Sequence, residues 1–291
     1  MENIKLHYSR ISRILAAVLV LNWAVAFAKI IWGFFTRCES MTADGLHSLS
    51  DGASNIIGLV GIAISSRPVD ADHPYGHRKY ETFFSLGIAM LLFFVAIELV
   101  KESIGRFANP VVPRVDLTSF IVMLVTIVVN MGVMRYEYRK GKELGSDILI
   151  SDAMHTRADI FTSFTVIAAL VSIRLGYPIL DPIVTLVIAA FIGHTGVEII
   201  KGASRILCDS VVIADAKKIS NIVLKVSGVK TCHKIRTRGR PDDICIDLHV
   251  QVDPAMHIDQ AHKISCAIEE AIKNGIQGVS DVLVHIEPKI K

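Results

Sequence analysis

Apolar blocks about as long as a bilayer is thick, roughly 20 residues each, fill the chain from Ile14 to Ile200 and then stop. Inside hydrocarbon every backbone N–H and C=O must find a partner within the chain, so blocks of this kind fold as helices. Six segments can span: 14–35, 39–65, 82–100, 117–134, 148–173 and 179–200. The expectation is an α-helical membrane protein, with six transmembrane helices in residues 1–207 and a separate domain in residues 208–291. At 52% hydrophobic residues and a mean hydropathy of +0.48, the whole chain is more apolar than a soluble globular protein.

The flanks of the blocks set the orientation. Lys5, Arg10, Arg13, Arg67, Arg78, Lys79, Arg135, Arg139, Lys140, Lys142, Lys201 and Arg205 outnumber Arg37, Lys101, Arg106, Arg114 and Arg174 on the other side. The basic excess marks the cytoplasmic side, so both termini are expected there. The polar, basic start, Met1–Arg13, runs into an apolar stretch that carries Lys29 and ends without a small-residue cleavage pattern. It reads as a retained first helix, not a signal peptide. Short loops and the lack of an organelle signal point to a bacterial or archaeal inner (plasma) membrane. The five cysteines, Cys38, Cys208, Cys232, Cys245 and Cys266, are odd in number and form no CxxC, which argues for free thiols in a reducing compartment. A net charge of +3 with no aromatic-laced basic stripe excludes nucleic acid as a partner.

The last 80 or so residues follow soluble patterning. Ile219, Ile222, Val223 and Val226 share a helical face. Ile244, Ile246, Leu248, Val250 and Val252 alternate as in a half-buried strand, and Gly239–Asp242 is turn chemistry joining it to a strand around Cys232–Thr237. Ala261, Ile264, Ile268, Ala271 and Ile272 mark a second amphipathic helix, and Asp281–Ile286 a last strand. Helix, strand, strand, helix, strand suits a small α+β domain with helices on one side of a sheet.

Segments two and five carry polar residues that the others lack. His47 and Asp51 lie four apart in the second, His155 and Asp159 in the fifth. That spacing puts both side chains on one helix face, one turn apart. Two such helices side by side offer two imidazoles and two carboxylates, the number and type of ligand a tetrahedral zinc ion takes. The spacing alone says little, since His249 and Asp253 share it in the tail. Depth in the membrane gives it weight: a charged group at the bilayer centre costs about 2.5–3.5 kcal/mol on insertion scales and calls for a compensating cation or proton. Metal binding competes with protons at such ligands, which permits proton-coupled antiport. Asp44 and Asp152, one turn earlier, read as mouth or capping residues.

Two further clusters contain ligand types. Asp70, His73 and His77 follow the second segment; they either converge on an ion or form a polar turn without one, and the sequence leaves both open. His233, His249, His262, His285 and Glu287 lie in the tail, with His285 and Glu287 on one strand face. Imidazoles and a carboxylate from three strands and a helix suit a divalent cation.

The stretches Ala43–Asp51, Arg67–Glu81 and Ser151–Asp159, together with the tail, resemble the cation diffusion facilitator family over nearly the whole chain. The resemblance implies a homodimeric secondary transporter, not an enzyme, that exports zinc or a similar ion against proton entry. It implies a transport site of His47, Asp51, His155 and Asp159. It matches Asp70, His73 and His77 to a loop metal site of some members, and His233, His249, His262, His285 and Glu287 to the metal pair of a cytoplasmic ferredoxin-like domain that draws two subunits together. It matches Lys79 and Asp209 to a charge pair tying the two domains. Members with well-studied loop and tail sites often have Asp in place of His47, and Asp can stand in place of Glu287; two His with two Asp goes with zinc over cadmium. The expected activity is Zn²⁺/H⁺ antiport out of the cytosol, with zinc also as tail ligand. Iron, manganese, cobalt, nickel and cadmium are the alternative cargoes. A non-transporting metal sensor and an intramembrane metalloenzyme are the readings from other classes; the second lacks His-Glu-x-x-His and an open coordination position.

Overall fold

The computed structural model describes residues 2–36, 39–108, 117–174, 180–213 and 215–289. The chain divides into two compact units, Met1–Ala203 and Ser204–Lys291.

Among the described residues the first unit is built from six long helices, α1 (Glu2–Thr36), α2 (Glu39–Ser65), α3 (Lys79–Ala108), α4 (Leu117–Leu144), α5 (Asp147–Arg174) and α6 (Leu180–Leu207), the last running on past Ala203. The helices outrun the apolar blocks because polar flanks hold helical geometry too: α1 takes in the basic start, and α4 continues ten residues past Met134. Four stretches, Leu6–Ile31, Lys79–Phe107, Phe120–Leu144 and Pro182–Leu207, are long and apolar enough to cross a membrane by length and composition. On α2 the purely apolar part is the shorter Gly52–Ser65. Helices α2 and α5 carry the polar residues, and both pack inside the unit: α2 against α1, α3 and α5, and α5 against α2, α3 and α4.

Two apolar clusters hold these helices. Tyr8, Ile11 and Leu15 of α1 meet Ile62 of α2, Ile88 of α3 and Ile148 and Leu149 of α5. Leu92, Ala96 and Leu99 of α3 meet Ala158 of α5 and Ala189 and Ile192 of α6. Close approach of α2 depends on glycine. A Cβ at Gly61 would lie 2.7 Å from Phe84 Cβ and 2.7 Å from Ile148 Cδ1, and one at Gly58 would lie 2.9 Å from Ile148 Cγ2. Small residues at such crossings let backbones approach and supply the packing that apolar solvent does not drive. The turn from α4 to α5 uses Gly145 at φ +62°, and Ser146 Oγ accepts from Leu149 N at 3.3 Å while donating to Glu81 of α3 at 2.5 Å.

The second unit contains α7 (Ala216–Val223), β1 (Thr231–Arg240), β2 (Asp243–Val252), α8 (Ile258–Gly275) and β3 (Val279–Pro288), in the expected order. The sheet order is β1-β2-β3, with β1 antiparallel and β3 parallel to β2. A parallel neighbour needs a crossover connection, which α8 supplies. Ile219, Val223, Ile246, Leu248, Val250, Ile268, Ile272 and Val282 form the core between the sheet and its two helices. This is the ferredoxin-like α+β arrangement expected of the tail. Two local expectations change. Helix α7 stops at Val223, short of Val226. Gly239 and Arg240 belong to β1, paired with Ile244 and Asp243, so the turn is confined to Pro241–Asp242. Gly239 sits at φ +107°, where a Cβ would come 2.2 Å from the Asp243 carbonyl oxygen, so the position requires glycine.

Substitution Gly61→Val is expected to wedge α2 away from α3 and α5 and to destabilise the first unit by about 1–3 kcal/mol. Gly132→Ala, with open space around the new Cβ, is expected to be neutral or slightly stabilising. Thermal unfolding of the purified protein in detergent distinguishes the two.

Candidate metal centres

Helix α5 presents His155 buried and Asp159 partly buried, with His155 Nε2 4.0 Å from Asp159 Oδ1. The one-turn spacing therefore does what helical geometry requires of it. The Asp159 carbonyl accepts from the hydroxyls of Thr162 and Ser163, at 2.8 and 2.9 Å. His47 and Asp51 are helical positions of α2, and their side chains lie outside the described residues. The approach of α2 to α5 is fixed just beyond them: Asn55 Nδ2 donates to Asp152 Oδ2, and the Gly58 backbone lies against Ile148. Asn55 in turn accepts from Asn22 of α1 at 3.1 Å. Asp152 is fully buried, so it lies inside the bundle instead of at a mouth.

The loop cluster converges. Asp70 Oδ1 accepts from the backbone N–H of His73 at 2.7 Å and lies 3.1 Å from His73 Nδ1, while Asp70 Oδ2 lies 3.3 Å from His77 Nε2. The two imidazole centroids are 4.3 Å apart. His77 is buried, and its Nδ1 lies 3.0 Å from the Pro68 carbonyl. A carbonyl only accepts, so Nδ1 carries the proton there and the lone pair of the neutral ring is left on Nε2, toward Asp70. His73 Nε2 is 3.2 Å from the Tyr80 hydroxyl. One ligand atom from each of Asp70, His73 and His77 falls within 4.8 Å of the others, so the three could hold an ion. The backbone N–H of His73 is the main reason the Asp70 carboxyl titrates below the ordinary carboxylate range.

In the second unit the strand register builds the site. His233 of β1 pairs with His249 of β2, which pairs with His285 of β3. The three imidazoles stand in a row on the face opposite Leu248 and Val250, and Glu287, two residues beyond His285, shares that face. Glu287 Oε1 lies 2.7 Å from His249 Nδ1, and Oε2 lies 3.3 Å from His233 Nε2. His233, His249 and Glu287 could hold an ion together, with His285 Nε2 3.8 Å from Glu287 Oε1. His262 is not in this group. It is exposed on α8, the helix that packs on the core side of the sheet, with Cys266 Sγ 3.7 Å away.

Sequence patterning did not single out Asn55, Tyr80, Glu137 or the pair Lys29–Ser48. Lys29 is buried and donates to Ser48 at 3.0 Å. A polar residue inside an apolar stretch is the signal available for Asn55 and Lys29; Glu137 lay past the expected end of the fourth segment.

Hydrogen bonding to His249 holds the Glu287 carboxyl below the usual carboxylate range, and His233 adds to this. With the folded value depressed, the contribution of Glu287 to stability is present above its unfolded value and is lost as pH falls through the folded one. Carboxyl-carbon NMR is expected to show Glu287 titrating below the ordinary glutamate range, and His249→Ala should move it back upward.

Comparison with known proteins places the chain among relatives of similar length. The model of the cation efflux transmembrane domain matches residues 15–208, and that of the cation efflux protein cytoplasmic domain matches residues 214–289. An uncharacterized transporter of Methanocaldococcus jannaschii is 32% identical, covering 92% of this chain and 95% of its own. The manganese efflux system protein MneS of Bacillus subtilis is 28% identical over 94% and 93%. Magnetosome protein MamB of Magnetospirillum gryphiswaldense is 26% identical over 89% and 88%. With both domain models matched in order across a helical membrane unit and an α+β unit, the chain belongs to the cation efflux (cation diffusion facilitator) family of membrane transporters, which carry divalent metal cations.

Proposed function

We propose that the chain exports a divalent transition metal from the cytosol in exchange for protons, with zinc as the first cargo, and that His47, Asp51, His155 and Asp159 are the transport site. One observation carries this reading: α2 and α5 pack antiparallel, with Asn55 level with Asp152 and Gly58 level with Ile148. Continued one turn, that register sets position 51 level with His155. A second turn sets position 47 near Asp159. Two imidazoles and two carboxylates are a borderline-soft set that suits zinc. Protons compete for the same atoms, since a ligand imidazole must be neutral and a ligand carboxylate ionised.

Manganese is the second reading, favoured by the relative named for manganese efflux. In either reading the chain works as a homodimer, N- and C-termini in the cytoplasm of a cell with the transporter in its inner membrane, and residues 208–291 sense cytosolic metal. His233, His249 and Glu287 hold one ion there, with His285 beside Glu287 on the same sheet face, while His262 stands apart on α8. Asp70, His73 and His77 form a lesser loop site.

In proteoliposomes with an imposed proton gradient, wild type is expected to move Zn²⁺ faster than Mn²⁺, and Asp159→Ala to reduce flux to the level of empty vesicles. Transport by Asp159→Ala at the wild-type rate would sink the assignment; Mn²⁺ moving faster would transfer the cargo to the second reading. His47→Asp is expected to narrow the preference for zinc over cadmium.

The tail has its own test. Neutral imidazoles are needed for metal and protons compete for the same nitrogens, so calorimetric Zn²⁺ affinity at the tail should weaken as pH is lowered. Glu287→Gln should weaken it by at least about tenfold, the loss that even outer-shell partners of a metal site cause. Unchanged affinity in that variant counts against the tail site.

A further inference from the structure

Outside the four residues assigned to the metal, the first unit buries a second carboxylate pair. Glu137 of α4 and Asp152 of α5 are both fully buried. Among the described residues, neither oxygen of Glu137 nor Oδ1 of Asp152 has a hydrogen-bond donor. The two carboxyl groups nevertheless lie within hydrogen-bonding reach of each other. Thr156 is close to Glu137, but its hydroxyl donates to the Asp152 carbonyl at 3.2 Å. Among the described residues, no cationic side chain is one of the groups acting on Glu137.

Two ionised carboxylates in apolar surroundings repel each other and lose their hydration, and two acceptors cannot bond without a hydrogen between them. We propose that Glu137 and Asp152 form a proton-binding site between α4 and α5, in which one carboxyl group is protonated and donates to the other. The donors decide where the proton sits. Asn55 Nδ2 donates to Asp152, and Ser54 stands beside the same carboxylate. Donors favour the ionised form of the group they reach, so Asp152 is the carboxylate and Glu137 carries the proton. Among the described residues, the titratable groups facing the pair are each other and, from α5, His155, which acts on Asp152. Helix α2 contributes the neutral Ser54 and Asn55, and α1 reaches the cluster through the neutral Asn22.

A proton here does mechanical work that the metal shell does not. While Glu137 is protonated, α4 and α5 are joined by a hydrogen bond; once it is lost, two like charges face each other across the same interface. Because Asp152 lies one turn from His155 on α5, the state of the pair bears on the helix that carries half of the proposed transport site, although the proton site itself does not depend on that assignment.

Infrared spectroscopy of the full-length protein in lipid, metal-free at neutral pH and compared in H₂O and D₂O, reads this directly. Wild type is expected to show a deuterium-sensitive carboxylic-acid C=O band, and Glu137→Gln, whose amide still donates to Asp152, to lose it. Asp159→Asn should leave it in place. If Glu137→Gln does not fold, Asp152→Asn serves instead, since the Glu137 band must shift when its acceptor is replaced. Absence of the band in wild type, or a band that neither variant moves, overturns the proposal. So does calorimetry in which Glu137→Gln loses one equivalent of bound Zn²⁺ or Mn²⁺, because the pair would then be a metal site.

Discussion

The contact between Asn55 and Asp152 sets the geometry of the membrane unit. An amide and a carboxylate inside an apolar bundle have no water to bond, so each holds the other, and with them α2 and α5. Glycine makes the contact possible: Gly58 and Gly61 leave no room for a Cβ between α2 and Ile148 or Phe84. Polar pairing fixes the axial register, and close packing fixes the separation. The proposed metal site inherits both, because its residues lie one and two turns away along the same two helices. Moving the crossing by one turn would leave each His–Asp pair intact on its own helix and separate the two halves of the shell.

The loop and tail clusters reach a similar end by other means. In the tail, β-pairing aligns His233, His249 and His285 in one row, while the alternate residues Leu248 and Val250 are consumed by the core. The face that builds the fold and the face that offers ligands are therefore independent, and ligand changes on the second cost the core little. In the loop, the backbone N–H and the imidazole of His73 hold one aspartate, and His77 Nε2 stands 3.3 Å from its other oxygen. Each cluster has a carboxylate lodged between imidazoles, held ionised by hydrogen bonds. Such groups are ready for a cation and are also stable without one.

Much of this was legible in the sequence because each part obeys a short-range rule. The boundaries of α2 follow from the length of its apolar block, the order of the five tail elements from periodicity and turn chemistry, and His155 with Asp159 from helical spacing. The strand alternation of Ile244 to Val252 is enough to put His249 on the face away from the core. What escaped depends on contacts between distant segments. Composition cannot show that α4 runs on past Met134 as a helix, or that Glu137 there meets Asp152. Nor can it show that Asp152 lies inside the bundle instead of at its mouth, since that depends on where α2 and α4 stand. His262 shows the opposite limit: sequence grouped it with the tail histidines by type, yet α8 covers the other side of the sheet. Gly239 fits a turn by composition, and only the pairing with Ile244 shows it to be a strand residue at positive φ.

The charge balance of α5 links these observations. Within three turns the helix carries Asp152, His155 and Asp159, too much negative charge to stay buried without counterparts. Asp152 has its counterparts within the protein, in Asn55, Ser54 and a proton shared with Glu137 under the arrangement proposed above. Asp159 faces His155 at 4.0 Å, a longer and weaker pairing, at which imidazole and carboxylate can part around an ion. Asp152, the more buried carboxylate, is thus satisfied by fixed groups, and under the proposed assignment Asp159 is the one that meets the mobile cation. Under that assignment the helix exchanges ions at Asp159 without losing the contact with Asn55 that holds it in register at Asp152.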